Sequence, residues 1–313
     1  MMVALRNALV GNKKQESGYW GLCFTAEGSG ATISMSASAS SGTPPTLHLF
    51  TSKDATNWTS FIPGTDSITL ANVGDKVWFK GGTYSEGTRN VGTAASSANY
   101  WKFTIANAFV SASGNIMSLC DGDVGYELSL PLNGLCNLFR DCTNLTEPPD
   151  LYCSVLTGTQ PYAHIFRQCS NLRHIAKMPQ SVAVGGIVGA YMYGFCTNLT
   201  YADMSGTIFS GTIASSGIGA SVFSGCSSLK YVKPALIKIG SMTFNGCSSL
   251  EVIDFRHATS VIEMANTNAF ENTNNTYKIV VPDSLYSSWI KATNWKDSSI
   301  VGHIVKASDY VEA

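Results

Sequence analysis

The sequence predicts a mainly β protein in which an N-terminal antiparallel β-sandwich leads into a capped solenoid of short repeats. Two observations carry this prediction. Short β-branched and aromatic runs alternate with turn residues in the first hundred residues, and one phrase recurs down the C-terminal half. The 313 residues divide into an N-terminal arm (1–16), the sandwich (17–114), the repeats (115–282) and a C-terminal cap (283–313).

The arm, MMVALRNALVGNKKQE, is too short to form a domain. Met2, Leu5 and Leu9 recur at helical spacing and make a weak apolar stripe. Arg6 and Asn7 interrupt the apolar run, so we expect no secretory signal peptide. We expect the arm to anchor the chain on a neighbouring subunit or another protein. The alternative is that the arm folds back onto its own sandwich.

Residues 17–114 contain runs that are rich in aromatic and β-branched residues. Turn signals such as Pro63-Gly64 and Gly74-Asp75 separate them. Short strands at such spacing are typical of an antiparallel β-sandwich. The runs are WGLCFTA from Trp20, ATISMSA from Ala31, TLHLFTS from Thr46, SITLANV from Ser67, KVWFKG from Lys76 and YWKFTIA from Tyr100.

In the C-terminal half, the recurring phrase is an aromatic residue, two residues, a cysteine, two residues and a leucine. The cysteines lie 27, 27, 30 and 21 residues apart, and a degenerate sixth copy places Thr273 a further 26 residues on. Self-similarity at a period of roughly 20–50 residues indicates a stacked solenoid. The copies are FRDCTNL from Phe139, FRQCSNL from Phe166, YGFCTNL from Tyr193, FSGCSSL from Phe223, FNGCSSL from Phe244 and FENTNNT from Phe270.

The residues after each leucine predict a short strand, as in the strand core of a leucine-rich repeat. Because side chains alternate along a strand, one set points inward and the other outward. We expect Ile175, Val232 and Ile253 to point inward. The outward set is His174, Ala176, Tyr231, Lys233, Val252 and Asp254.

The segment CSSLKYVKPALIKIGSMTF, from Cys226 to Phe244, resembles the BspA-like leucine-rich repeat family. The resemblance covers about residues 115–282 and is most specific from Phe223 to Phe255. It implies a surface adhesion module of the kind found in gut and oral bacteria and in phages that infect them. The preceding β-domain resembles domains that come before such repeats in those proteins.

The segment VVPDSLYSSWIKATNW, from Val280 to Trp295, predicts a cap. We expect Asp283 to be the N-cap of a helix that follows a final strand. Leu285, Trp289 and Ile290 then form its packing face, because a solenoid needs a cover over its last apolar layer. The resemblance implies the same closing segment. We therefore expect buried aromatic residues here rather than a sugar-binding platform.

The nine cysteines predict structural thiols. Five occupy the repeated position, where free cysteine acts as a small buried apolar residue: Cys142, Cys169, Cys196, Cys226 and Cys247. The other four form no CxxC pair and have no histidine at ligand spacing: Cys23, Cys120, Cys136 and Cys153. We predict no disulfide framework, which fits folding in a reducing cytoplasm, and no metal site.

Two further segments resemble ligand-binding loops only in part. In SGIGASVFSG, from Ser216 to Gly225, Val222 stands where a dinucleotide loop has its third glycine. The CDGDVG segment around Asp121 and Asp123 lacks the remaining positions of a calcium loop, so we expect a turn. The sequence therefore predicts no cofactor.

The sequence also lacks a catalytic motif, so we predict a protein that is not an enzyme. A glycan-processing enzyme would need a carboxylate pair in a cleft, and the sequence singles out no such pair. Charged residues make up 13% of the chain, against about 25% in typical domains, and the net charge is −1. With no basic cluster, this composition argues against nucleic-acid binding. No apolar stretch is long enough to span a membrane.

We predict a structural or adhesion protein on the virion surface of a phage that infects gut bacteria, because a virion protein needs no export signal. The alternative is a BspA-type adhesin on the bacterial cell surface. We expect other virion proteins to bind the arm or the sandwich, and a host-surface glycan or protein to bind the repeats. Homo-oligomers are also compatible with the sequence.

The outward strand positions give a candidate binding face. Mixed aromatic, acidic and basic groups on a regular sheet suit a protein or glycan partner better than a polyanion. The alternative is an ordinary solvated sheet. The residues are Glu147, His174, Tyr201, Asp203, Tyr231, Lys233, Asp254 and Lys278.

Overall fold

The computed structural model of the protein describes most of the chain from residue 21 to residue 311. The described ranges are 21–40, 42–82, 93–94, 96, 98–120, 122, 129–130, 132–211, 219–235 and 237–311. The predicted arm (1–16), Asp121, Asp123 and residues 216–218 of the glycine-rich segment lie outside the described residues.

The N-terminal part consists of two antiparallel sheets. Their strands are β1 (Cys23–Ala26), β2 (Ala31–Ala39), β3 (Leu49–Ser52), β4 (Thr59–Phe61), β5 (Ser67–Leu70), β6 (Lys76–Gly81), β7 (Asn99–Ala106) and β8 (Val110–Ser113). One sheet has the strand order β8-β1-β6-β3-β4, and the other has the order β5-β2-β7.

The two sheets share one apolar core. In β2, Ala31, Ile33 and Met35 are buried and the residues between them are half-buried, which is the alternation of a strand with one covered face. Phe24 of β1 lies 5.0 Å from the ring centroid of Phe103 in the other sheet, in an edge-to-face arrangement. These contacts support the predicted sandwich in part. At the boundary with the repeats, near residue 114, the packing differs from the prediction.

The repeats form a parallel β-solenoid with two sheets. The strands of this part are β9 (Ser129–Leu130), β10 (Leu145–Glu147), β11 (Val155–Leu156), β12 (Ser181–Val184), β13 (Tyr201–Asp203), β14 (Ile208–Gly211), β15 (Tyr231–Lys233), β16 (Val252–Asp254), β17 (Lys278–Val281) and β18 (Ile304–Lys306). The front sheet has the order β13-β15-β16-β17-β18, and the side sheet has the order β14-β12-β11-β9.

The side sheet explains the uneven spacing of the repeats. Each of the three coils with 27- or 30-residue steps contains one of its strands, β11, β12 or β14. In the 21-residue coil, Ile239 makes only an isolated parallel bridge, to Met264 of the next coil. The three longest coils therefore contain a second strand, and the described residues of the shortest coil form none.

The solenoid core continues into the N-terminal sheets without a break at residue 114. Strand β10 of the first coil pairs in parallel with β8. The amide of Phe103 donates to the carbonyl of Leu138 at 2.8 Å, and its ring stacks on Phe139 with centroids 5.3 Å apart. A 3₁₀ helix over Ile116–Leu119 connects the two parts. The N-terminal sheets thus cover the first coil, as a terminal cap does.

The repeated phrase builds two ladders inside the stack. Seven aromatic rings stack in sequence, with centroid separations between 5.3 and 6.0 Å: Phe103, Phe139, Phe166, Tyr193, Phe223, Phe244 and Phe270. Each thiol of the five repeated cysteines donates to the carbonyl of the aromatic residue in the preceding layer, at 3.0–3.2 Å. These cysteines are buried and free, so the predicted cysteine ladder is confirmed.

The residue before each repeated cysteine has a left-handed backbone, with φ between 62° and 76°. Glycine fills this position twice, at Gly225 and Gly246. At Gly225 a Cβ atom would also lie 2.5 Å from the ring of Phe195, one coil back. The space that Phe195 takes therefore requires a glycine in the following coil.

The C-terminal segment closes the solenoid and also extends its front sheet. Helix α1 (Asp283–Trp289) is followed by 3₁₀ helices over Val301–His303 and Ala307–Asp309, and another lies earlier at Thr267–Phe270. Trp289 and Trp295 are fully buried, and Leu285 and Ile290 pack against the core, as predicted. Because β18 pairs with β17, the front sheet continues past the predicted repeat boundary at residue 282.

The prediction that Asp283 is the helix N-cap is wrong by one residue. Pro282 occupies the N-cap position, and Asp283 is the first residue of the helix. Its carboxylate accepts a hydrogen bond from the amide of Ser308 at 3.0 Å. Asp283 therefore attaches the C-terminal segment to the helix instead of capping it.

Candidate functional site

The front sheet has the register that the sequence predicted. Tyr201, Tyr231, Val252 and Lys278 lie side by side on adjacent strands. Val232 and Ile253, one residue further along their strands, are fully buried. We call the outward side of the front sheet, together with Glu147 and His174 on the two preceding coils, the strand face.

The strand face is open at one end and covered at the other. His174, Tyr201, Asp203 and Lys278 are exposed, and Glu147, Tyr231 and Lys233 are half-buried. Asp254 is only 2% exposed, so the expectation that it lies on an exposed surface is wrong. Val252 and Val280 on the neighbouring outward positions are also buried. The exposed end therefore runs from His174 to Asp203, and Lys278 is an isolated exposed residue at the covered end.

The predicted alternation of inward and outward side chains also fails at the second coil, in residues 172–177. Ala176, which was expected to point outward, is buried, and Ile175 is half-buried rather than fully inside. No strand is assigned to residues 172–177. The amide of Ala176 donates instead to the hydroxyl of Tyr193, at 3.0 Å. The second coil therefore interrupts the row of strands between β10 and β13.

His174 and Glu147 form a hydrogen bond between adjacent coils. The Nδ1 atom of His174 lies 2.6 Å from Oε2 of Glu147, and the histidine side chain is 66% exposed. The two residues are 27 positions apart, so the pair joins equivalent positions of successive repeats. Sequence spacing alone does not predict this pair, because its two residues lie in different repeats.

Tyr201 and Tyr231 stack on the strand face with ring centroids 5.3 Å apart and planes 10° apart. Tyr201 is 46% exposed, and its hydroxyl donates to Asp203 at 3.4 Å. Burial of the hydroxyl and the charge of Asp203 raise the pKa of Tyr201. Partial burial raises the pKa of Asp203, but hydrogen bonds from Ser205 and the charge of Lys233 outweigh it and lower the pKa.

At the covered end, Asp254 is held by two neighbours. The Arg256 guanidinium binds its carboxylate through Nε and Nη2, at 3.0 and 2.8 Å, and the hydroxyl of Tyr231 donates to the same carboxylate. Burial raises the pKa of Asp254, and these hydrogen bonds lower it further than burial raises it. Burial and the hydrogen bond to Asp254 raise the pKa of Tyr231 to about 12.

A cleft opens beside the exposed end, where the second coil lacks its strand. Its volume is about 430 Å³, and Tyr152, His174, Tyr201 and Asp203 contribute polar groups to its wall. Met178 and Met204 contribute apolar surface. Sequence reasoning identified three of these residues but not the cleft. Pro179 after the phrase is no signal for it, because Pro148 and Pro234 directly follow strands that do form.

Burial disfavours the thiolate form of the five repeated cysteines. Burial is the main cause that raises the pKa of the Cys142 and Cys226 thiols to about 12. A thiol is nucleophilic and binds metal as the thiolate, and that form is disfavoured here. Among the described residues, no group of three or more histidine, cysteine, aspartate or glutamate residues could hold a metal ion. None of the helices in the described ranges has the length and apolar character needed to cross a membrane.

Comparison with known proteins supports the repeat assignment. Residues 186–300 match the model of the BspA type leucine-rich repeat region, in six copies. The matched segment includes β13 to β17 and helix α1, so the match covers the region that contains most of the strand face. Such repeats fit a surface adhesin-like repeat protein. Neither the curated proteins nor the solved structures include a match to the chain.

Proposed function

We propose that this protein is a non-enzymatic surface-recognition protein that binds a partner through the exposed end of its strand face. The observation that carries the proposal is the stacked pair of Tyr201 and Tyr231, with Asp203 in hydrogen-bond contact. Tyrosine provides apolar surface and a hydrogen-bonding hydroxyl at one position, which is why it is enriched at binding interfaces.

The rigidity of the repeat stack favours this role. The strands of the front sheet are fixed from below by the aromatic and cysteine ladders and from the side by parallel pairing. Outward side chains on such a scaffold are already placed before a partner arrives, which lowers the entropy cost of binding. The solenoid supplies the support, and its outward residues supply the specificity.

For the location, we propose the virion surface of a phage that infects gut bacteria, with the bacterial cell surface as the alternative. The BspA-type repeats are equally consistent with both. In the first case, other virion proteins bind the N-terminal arm or the sandwich, and a host-surface glycan or protein binds the strand face. In the second case, the same face binds a surface component of another cell.

A binding assay on intact gut bacterial cells tests the proposed face. Labelled full-length chain is compared with Tyr201→Ser and with a matched control, Phe195→Ser, which changes an exposed aromatic residue on a turn segment. The two side chains are similarly accessible, at 46% and 40%. We expect Tyr201→Ser to weaken binding about tenfold, the loss of about 1.4 kcal/mol. Phe195→Ser should leave it within twofold. Equal effects of the two changes, or no binding to any cell, would contradict the proposed face.

Fractionation tests the location. An antibody against the chain is applied to purified phage particles and to washed cell envelopes from the same culture. A signal that copurifies with the particles supports the virion assignment, and a signal confined to envelopes of uninfected cells supports the bacterial adhesin. A signal in neither fraction would contradict both locations.

A further inference from the structure

The cleft beside the strand face has the size and lining of a small-ligand site. Its volume of about 430 Å³ lies within the range of roughly 300–1,000 Å³ that such sites occupy. Such sites combine apolar surface with a few polar groups that converge on the ligand. Here the apolar surface comes from Ile175, Met178 and Met204, and the polar groups come from two phenols, an imidazole, a carboxylate and an ammonium group.

The polar groups are held in place by the neighbouring coils. Glu147 binds Nδ1 of His174, which leaves Nε2 as the other hydrogen-bonding atom of the ring. The amide and hydroxyl of Ser205 donate to Oδ1 of Asp203 at 2.9 and 2.6 Å, and Tyr201 donates to Oδ2. The carboxylate and imidazole are thus oriented before a ligand binds, as a selective site requires.

Two backbone groups of the interrupted coil are already paired, which breaks the row that an extended peptide would need. A peptide that adds to a sheet needs free amide and carbonyl groups along the edge. At the interrupted coil, the Ala176 amide donates to the Tyr193 hydroxyl, and the carbonyl of Lys177 accepts from the amide of Leu151 at 2.7 Å. Side chains are then the main source of recognition, and their donors and acceptors suit a ligand with many hydroxyl groups.

From this geometry we infer that the cleft binds one ring of a neutral saccharide chain, with the rest of the chain lying along Tyr201 and Tyr231. A sugar ring has hydroxyl edges that match the Asp203 carboxylate and the His174 imidazole. It also has a C–H face that packs on Met178, Met204 or a tyrosine ring. The inference rests on the proposed function and specifies the ligand class for the same face.

Two glycines allow a matched test. Gly206 lines the cleft, it is exposed, and a Cβ atom added there would meet no atom within 4 Å. Gly302 in the C-terminal cap is also exposed and equally open. Neither has a positive φ. The substitution Gly206→Trp therefore fills the cleft without straining the backbone, and Gly302→Trp adds the same side chain elsewhere.

The full-length chain and both variants are titrated with trimers of neutral sugars, namely maltotriose, cellotriose, mannotriose and the N-acetylglucosamine trimer. The same proteins are applied to bacterial cells that have been treated with periodate, which cleaves sugar diols, or with protease. We expect at least one trimer to bind, Gly206→Trp to weaken that binding at least tenfold, and Gly302→Trp to leave it within twofold. Periodate treatment should remove cell binding, and protease treatment should not.

The outcomes separate this inference from the proposed function. Cell binding that survives periodate and is lost with protease would show a protein ligand and overturn the saccharide. Cell binding that is unchanged by Gly206→Trp would leave the strand face in place and overturn the cleft. Binding to no trimer would also overturn the inference. A chain that binds neither cells nor trimers overturns both proposals.

Discussion

The two ends of the strand face follow the same repeat phrase but have different environments. At the open end, Asp203 is exposed and binds Ser205 in its own turn. At the covered end, Asp254 is buried beneath Arg256 and Tyr231, and Arg256 in turn lies 5.9 Å from the ring of Tyr310. The same outward position is therefore available to a partner in one coil and part of the protein's own packing two coils later.

This difference separates the outward residues that are available to a partner from those that stabilise the solenoid. The covered end lies next to the cap, which places the ring of Tyr310 beside Arg256, the partner of Asp254. The open end lies next to the interrupted second coil, where a cleft replaces a strand. Substitutions at the covered end should change stability, and substitutions at the open end should change binding.

The largest expected effect is on Asp254. Asp254→Ala removes the carboxylate that the Arg256 guanidinium and the Tyr231 hydroxyl both bind, and we expect a loss of about 3 kcal/mol in the free energy of unfolding. Asp203→Ala, the matched change at the open end, should cost about 0.5 kcal/mol or less. Urea unfolding followed by the fluorescence of the buried Trp289 and Trp295 measures both. Equal losses for the two variants would show that the ends do not differ.

Acid should reduce the contribution of Asp254. Its pKa is lowered in the folded protein, so its stabilising contribution is fully present above the unfolded pKa of about 3.9 and is lost as the pH falls through the folded pKa. The gap in unfolding free energy between the unmodified chain and Asp254→Asn should therefore be constant above about pH 5 and shrink below about pH 4. A gap that widens on acidification would mean that Asp254 is protonated in the folded state.

A smaller effect on stability is expected at Tyr310, which lies beside the ion pair of Asp254 and Arg256. Tyr310→Ala removes the ring near the Arg256 guanidinium and should cost about 0.5–1 kcal/mol, the value of a partly exposed cation–π contact. Tyr310→Phe keeps the ring and serves as the control. If Tyr310→Phe costs as much as Tyr310→Ala, the hydroxyl rather than the ring is responsible.

The smallest effect on stability is expected at the open end. Tyr201→Ala removes an exposed ring that stacks on Tyr231, and we expect a loss of about 0.5 kcal/mol in the free energy of unfolding. Thermal unfolding of this variant should be close to that of the unmodified chain. A loss above about 2 kcal/mol, the range of a buried aromatic residue, would place Tyr201 in the packing of the coil instead of on a binding surface.

The interior of the solenoid could be predicted from the sequence because it repeats. Phe166, Cys169 and Leu172 occupy positions that recur in every coil, so one structural explanation covers all copies. The inward positions Val232 and Ile253 followed from strand alternation in the same way. The recurring pattern therefore predicts which side chains face the core, and the structure agrees with the prediction at these inward positions.

The features that were not predicted depend on residues that do not repeat. The burial of Asp254 depends on Arg256 and Tyr231, which come from its own turn and the preceding coil. The continuity of the core at residue 114 depends on the pairing of β10 with β8. The cleft exists because the second coil lacks a strand that its phrase predicts. Each of these arises from contacts between coils that single-repeat spacing does not encode.

One binding assay tests most directly whether the open end of the strand face, and not the covered end, binds a partner. Tyr201→Ala changes the open end, and Lys278→Ala changes the exposed residue at the covered end. Both are measured as full-length chains on the bacterial cells that bind the unmodified protein most strongly. We predict at least a tenfold loss of binding for Tyr201→Ala and less than a twofold change for Lys278→Ala. A larger loss for Lys278→Ala than for Tyr201→Ala would contradict this prediction.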